Sequence, residues 1–280
     1  MKKYIRGVSL MFTGAFALFA QAPSVSPGGV VNVASYALNQ PDKRVAPGEL
    51  IAIFGSNLAS GIALADSIPI STSLGDVQSV TFNGTPAPIL FVSGGQINVQ
   101  LPWELSAPSN GTSNVTVVVT RSSTGASAPV QTPIGEFSPG IFTAPASGAG
   151  QALALIYPDN AIAAPTGSIS GRLTRPAKPG DILQIYCTGL GPVMEPGSGS
   201  NPPDGSPPQG TTNTVGTPTV TIGGITAPLQ FSGLAPGFVG LYQINVQVPT
   251  SAPTGSAVSL QIQLGGLTST AQATIAVAAQ

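Results

Sequence analysis

The chain has 280 residues, of which 35 are Gly and 28 are Pro, and only 7% carry a charge, against about 25% in an ordinary globular domain. It contains no His and one Cys, which excludes a Ser–His–Asp triad, a His-ligated metal, a Cys-rich zinc site and an intramolecular disulfide. Nine basic residues stand against ten acidic ones without a basic cluster, so binding driven by phosphate neutralisation is not expected of it.

At the N-terminus, Lys2, Lys3 and Arg6 precede an uncharged apolar run over residues 8–20. Small residues close the run, and the pattern is that of an export signal cleaved after Ala20. The run is shorter than the roughly 20 residues that span a bilayer, and no Cys follows it to carry a lipid. Loss of residues 1–20 leaves six basic residues against ten acidic ones, a net charge near −4. The expected product is secreted or held at the cell surface, without insertion into the membrane. Its length suits two domains, expected over residues 21–137 and 138–280.

The body of the chain repeats itself. Residues 45–54 (VAPGELIAIF) return as residues 177–186 (AKPGDILQIY). Val80-Thr81-Phe82-Asn83-Gly84 returns as Val220-Thr221-Ile222-Gly223-Gly224, and Gln96-Ile97-Asn98-Val99-Gln100 as Gln243-Ile244-Asn245-Val246-Gln247. The starts also align, residues 29–36 with residues 150–157, which matches Tyr36 to Tyr157. Each copy reads as β structure. Pro-Gly turns introduce strands at Leu50 and Ile182. Asn83-Gly84 and Gly223-Gly224 are two-residue hairpin turns that tolerate positive φ. Ile97, Val99 and Leu101 alternate with amides, and Val115, Val117 and Val119 repeat the period of two. About seven short strands per copy, with turn signals between them, point to an all-β chain of two tandem immunoglobulin-like β-sandwiches. Prolines at 86, 88, 129, 133, 218 and 228 are expected to guard sheet edges, since Pro removes a ladder donor. The link near residue 138 is short and partly apolar, so the two copies are expected to pack together. Copy two adds long loops over residues 159–176 and 194–217, and seven residues in the hairpin after Phe231.

These blocks, together with Pro139-Gly140-Ile141-Phe142, Thr188-Gly189-Leu190-Gly191 and Gly233-Leu234-Ala235-Pro236-Gly237, resemble the Solibacter uncharacterised C-terminal domain family of exported Acidobacteria proteins. The resemblance covers residues 29–277. It implies immunoglobulin-like folding and surface or extracellular placement, and it carries over no catalytic residue.

The chemistry-bearing residues are few. Serine has no base to activate it, and neither a phosphate loop nor a Ca²⁺ loop pattern occurs. Asp159, Glu195 and Asp204 lie in the long loops of copy two, where a pair of carboxylates would be needed for glycoside hydrolysis. Their spacing marks no pair. Glu49 and Asp181 each follow Pro-Gly, which reads as a turn or strand-start role; Asn98 and Asn245 read as amides that bond a loop backbone. Cys187 reads as a buried strand residue. Trp103, the single Trp, has no counterpart in copy two; domain packing and a sugar-stacking platform are both open to it. Phe238 and Tyr242, in the enlarged hairpin, are the other candidate ligand-binding residues. The sequence therefore reads as a non-enzymatic interaction or adhesive module that needs no cofactor or metal. Its partner would be a cell-surface protein or a polysaccharide. A carbohydrate-binding module is the alternative, and a glycoside hydrolase or lyase using the loop carboxylates a third reading.

Overall fold

The computed structural model describes residues 21–36, 43–269 and 272–279. The expected export signal lies outside them. Among the described residues there is no α-helix, and so none long and apolar enough to cross a membrane.

Ten strands form the first sandwich: β1 (Ser24–Asn32), β2 (Leu50–Ser56), β3 (Ala63–Leu64), β4 (Val77–Phe82), β5 (Thr85–Pro86), β6 (Ile89–Val92), β7 (Gln96–Gln100), β8 (Ser113–Arg121), β9 (Gly125–Ala126) and β10 (Val130–Ile134). One sheet runs β1-β2-β7-β6-β3; the other runs β10-β8-β4-β5, with β9 on β8. Period-two alternation builds the core between them. Ile51, Ile53, Ile97 and Val99 from one sheet meet Val80, Phe82, Val115, Val117 and Val119 from the other, all buried in one cluster. Asn83 and Gly84 both take positive φ, +50° and +87°, as the hairpin turn requires. Pro86 and Pro133 lie in β5 and β10, the two edges of the second sheet.

The second sandwich has longer loops and more short strands. Its first sheet contains β11 (Gly140–Ile141), and its second sheet opens with β12 (Thr143–Ala144) and β13 (Gly150–Ala152). β14 (Ala154–Tyr157), β15 (Ala161–Ala163), β16 (Thr174–Arg175) and β17 (Ile182–Thr188) follow, then a separate hairpin of β18 (Val193–Met194) and β19 (Asn213–Thr214). β20 (Thr219–Ile222), β21 (Ile225–Ala227), β22 (Leu229–Leu234), β23 (Tyr242–Gln247), β24 (Gly255–Leu264), β25 (Leu267–Thr268) and β26 (Ala273–Val277) complete it. The sheets run β16-β15-β14-β17-β23-β22, with β11 also on β17, and β12-β13-β26-β24-β20-β21, with β25 on β24.

The duplication survives in hydrogen bonds as well as in strands. Val45 N donates to Pro133 O and Ala177 N to Ala276 O, the same bridge in each copy. Gln96 Nε2 donates to Asn98 Oδ1 at 2.7 Å, and Gln243 Nε2 to Asn245 Oδ1 at 2.8 Å. The two amides stand two residues apart on one strand face, so they reach each other. Asn98 and Asn245 therefore bond a neighbouring side chain, not a loop backbone as expected.

The match of Tyr36 to Tyr157 does not hold. Asn32 pairs with Ile51 across β1–β2, and Ile156 pairs with Leu183 at the equivalent place across β14–β17. Tyr36 N donates to Asn32 O, and Asn160 N to Ile156 O, both at 2.8 Å. Tyr36 and Asn160 share positive φ, +50° and +56°. Tyr36 thus corresponds to Asn160, three residues beyond the sequence match, and Tyr157 is an exposed strand residue. The shift arises where copy two diverts β12 and β13 into the opposite sheet before β14 begins.

Candidate functional site at the domain junction

The two sandwiches meet through buried polar groups that the repeated motifs supply. Thr188 Oγ1, at the end of β17, accepts from Leu50 N at 3.0 Å and donates to Gly240 O at 3.0 Å. Asn32 Nδ2, at the end of β1, donates to Ser138 O at 2.8 Å, while its Oδ1 accepts from Ala34 N and Ser35 N. Ser138 N donates to Gly189 O. Gly189 takes φ +80°, and a Cβ there would lie 2.0 Å from Ser138 O, so the Thr-Gly-Leu-Gly run is a close-approach segment that only glycine allows.

Glu49 and Asp181 play the same local part. Each carboxylate accepts from the backbone three residues earlier, Glu49 Oε2 from Ala46 N at 2.5 Å and Asp181 Oδ2 from Lys178 N at 2.9 Å. Their surroundings differ. Asp181 also pairs with Arg175 at 2.7 Å. Glu49 is fully buried at the junction, and burial pushes its carboxyl well above the ordinary value despite bonds from Ala46 N, Ser138 and Asn32. Ser138 Oγ has a single proton but faces two acceptors, Arg44 O at 2.9 Å and Glu49 Oε1 at 3.2 Å. A protonated Glu49 supplies the second proton and satisfies both contacts.

The three candidate ligand-binding residues part company here. Tyr242 is fully buried in the second core and donates to Gly191 O at 2.5 Å, so it has no surface to offer a ligand. Trp103 is half-buried and packs against the second-domain core. Its ring lies over Gly48, where a Cβ would come within 2.0 Å of it. That is packing between domains, not an open stacking platform. Phe238 alone is well exposed, at 57%. The loop carboxylates hold structure. Asp159 pairs with Arg175, whose guanidinium keeps it below the ordinary carboxylate range. Glu195 accepts from Gln209 N, and Asp204 from Trp103 N. Cys187 is buried, and burial pushes its thiol up. Among the described residues no three acidic or Cys side chains gather as metal ligands would.

A groove of about 710 Å³ opens along the junction. Leu50, Ile68, Ile70 and Leu90 form its first-domain wall; Phe238 and Leu241, from the enlarged hairpin of copy two, form the other. The hairpin reaches that position because Gly240 rests on Leu50 and Gly48. Ile68 is 61% exposed, and Ile62 and Leu64 nearby are more so. These isoleucines and leucines were not singled out from the sequence. Their signal was present, since the run that carries Ile62, Leu64, Ile68 and Ile70 has no counterpart in copy two.

Residues 42–133 match the IPT/TIG domain. That domain is an immunoglobulin-like β-sandwich, so the first sandwich is of this class, and the chain is all-β with tandem immunoglobulin-like architecture. Among solved structures, the chain is similar to a Bacteroides ovatus mixed-linkage glucan utilization locus protein, SGBP-B, solved with a mixed-linkage heptasaccharide. The identity is 12% and the TM-score 0.34, over 86% of this chain and 46% of that one. A surface glycan-binding protein from Prevotella bryantii gives 11% identity and a TM-score of 0.27, over 90% and 41% of the two chains. Domains 5–6 of the S-layer protein SbsC give 12% and 0.23, over 92% and 98%. The chain spans less than half the length of the two glycan-binding proteins. No curated protein is similar to it in sequence.

Proposed function

We propose that the chain is a non-enzymatic, exported binding module that contacts a partner at the cell surface or in the extracellular matrix. The observation that carries this reading is the junction groove. Its walls come from two sandwiches tied together by the Leu50 N–Thr188 Oγ1 and Asn32 Nδ2–Ser138 O hydrogen bonds, and it leaves Phe238 and Ile68 turned to solvent. Large apolar side chains held open on a rigid scaffold are characteristic of interaction surfaces. Support for export comes from Lys2, Lys3 and Arg6 ahead of the apolar run and from the resemblance to the Solibacter uncharacterised C-terminal domain family. The loop carboxylates are engaged in structural bonds to Arg175, Gln209 and Trp103, which favours binding over catalysis.

A screen of the purified chain against cell-wall fractions, cell-surface proteins and polysaccharides tests the reading. Saturable retention that falls at least tenfold in both Phe238→Ala and Ile68→Asp is expected. Retention unchanged in both variants removes the groove as the contact surface. Turnover of a substrate, abolished by Asp159→Asn or Glu195→Gln, replaces the reading with an enzymatic one.

A further inference from the structure

Each copy turns one face of its Pro-Gly strand away from the core, and the duplication lets the two faces be compared residue by residue. In copy one, Val31 and Ala52 are buried on that face, packed against Val33, Tyr36 and Phe54. The rings of Tyr36 and Phe54 meet with centroids 6.1 Å apart. Val31 pairs with Ala52, and Leu155 pairs with Gln184 at the same step of the repeat. Leu155 is therefore the counterpart of Val31, Tyr186 that of Phe54, and Asn160 that of Tyr36.

In copy two these three residues line a cavity of about 470 Å³, together with Ile162, Arg172 and Leu173. A short amide stands where copy one has a ring, so the place beside Tyr186 is left open. The long loop over residues 159–176, which copy one lacks, supplies the other wall. That loop is fixed by its backbone. Ile162 N donates to Leu173 O at 2.9 Å, Gly167 N donates to Thr174 Oγ1 at 2.8 Å, and β16 pairs with β15. Among the described residues no acid pairs with the Arg172 guanidinium. Asp159 and Asp181, which flank it in the chain, are both taken by Arg175 at 2.7 Å.

We propose that this cavity binds a small aromatic carboxylate, its ring against Tyr186 in the place that Tyr36 takes against Phe54, and its carboxylate on Arg172. Ring against ring is the contact copy one already makes there. A guanidinium presents a planar fork of donors that matches a carboxylate. A mostly apolar wall with a few polar groups, at this volume, is the usual make-up of a small-molecule site. Asn160, Arg172 and the Tyr186 hydroxyl are too few to satisfy the hydroxyls of a sugar, and burying those unbonded is costly. The cavity shares no residue with the junction groove, so the assignment does not depend on what the groove contacts.

Calorimetric titration of the purified chain with benzoate and with phenylacetate tests the proposal, with phenylacetamide as the uncharged isostere. Saturable binding of at least one acid is expected. Phenylacetamide should bind about tenfold more weakly than phenylacetate, or worse, the loss expected of a charge-assisted hydrogen bond. Arg172→Gln is expected to weaken the acids by the same factor. Asn160→Tyr rebuilds the copy-one arrangement and is expected to abolish binding; position 160 has φ +56°, close to the +50° that Tyr36 adopts. Circular dichroism and the melting temperature check that each variant is folded. Should Asn160→Tyr fail to fold, Arg172→Gln, a change at an exposed side chain, decides alone. Absence of saturable binding by either acid up to millimolar concentration overturns the proposal. So does binding that is unaltered in Arg172→Gln or in folded Asn160→Tyr, and so does phenylacetamide binding as tightly as phenylacetate.

Discussion

Glu49 shows how one residue type serves two environments. Its turn-closing bond to Ala46 N is the bond Asp181 makes to Lys178 N, but the junction removes the water and the Arg175 partner that Asp181 keeps. Because burial raises the Glu49 value in the fold, its contribution to stability is complete at pH values below the ordinary carboxylate value. It declines as pH rises through the folded value. Glu49→Gln removes that dependence while retaining a donor towards Ser138. Its melting temperature is expected to equal the parent's near pH 4 and to exceed it near pH 8. The excess should be about 2 °C or more, the shift that roughly 1 kcal/mol makes in a chain of this size. A parent that stays the more stable protein at pH 8 contradicts a buried, proton-holding Glu49. Cys187 is the second residue whose setting decides its chemistry. Buried and with its thiol pushed up, it has little thiolate to react. A disulfide reagent at pH 8 is expected to label it only in denaturant; labelling of the native chain at the rate of a free thiol would place it at the surface.

At the level of elements, the end of β17 and the enlarged β22–β23 hairpin are the parts of copy two that create the junction. Thr188 sits between them, satisfying Leu50 N and bonding Gly240 O. Thr188→Val keeps the shape and leaves both backbone groups without that hydroxyl. The expected loss is about 1–3 kcal/mol in denaturant unfolding, and Thr188→Ser is expected to recover most of it. Equal stability of the Val and Ser variants would show that the hydroxyl bonds contribute nothing net. The packing of Trp103 over Gly48 belongs to the same level. Gly48 has φ +74° and no room for a Cβ, so Gly48→Ala displaces the indole and is expected to red-shift its emission. Emission unchanged from the parent would mean that the ring adapts in place.

On the scale of the whole molecule, the two cores are separate clusters joined by polar contacts and by Trp103 and Phe137, which pack on the second core. Hydrogen bonds at the ends of β1 and β17 and at the Asp204–Gly205 loop tie the sandwiches at several separated points. Unfolding one sandwich strands buried polar groups of the other, so calorimetry at pH 5 is expected to record one cooperative transition. Two resolved transitions at that pH would show that the sandwiches melt independently.

The all-β class, the repeated strands and the positive-φ hairpin turns were all legible in the sequence, because each rests on local chemistry. Side-chain alternation of period two, Asn-Gly and Pro-Gly turns, and prolines at edges act within a few residues of where they stand. The same local rules misplaced Tyr157, since sequence similarity cannot register the excursion of β12 and β13 into the other sheet. They also left Tyr242 as a surface candidate, and Trp103 open between domain packing and a surface platform. Exposure is a property of what the rest of the chain lays on top, and here Tyr242 closes the second core while Trp103 fills the junction. The groove and the contacts of the Asp204–Gly205 loop lie further from any sequence signal. Each joins residues far apart along the chain. By itself, the sequence determined which elements form and how often they repeat. Only the tertiary structure decided which polar groups lose their water at the junction, because desolvation depends on neighbours that the fold brings together and the chain order does not.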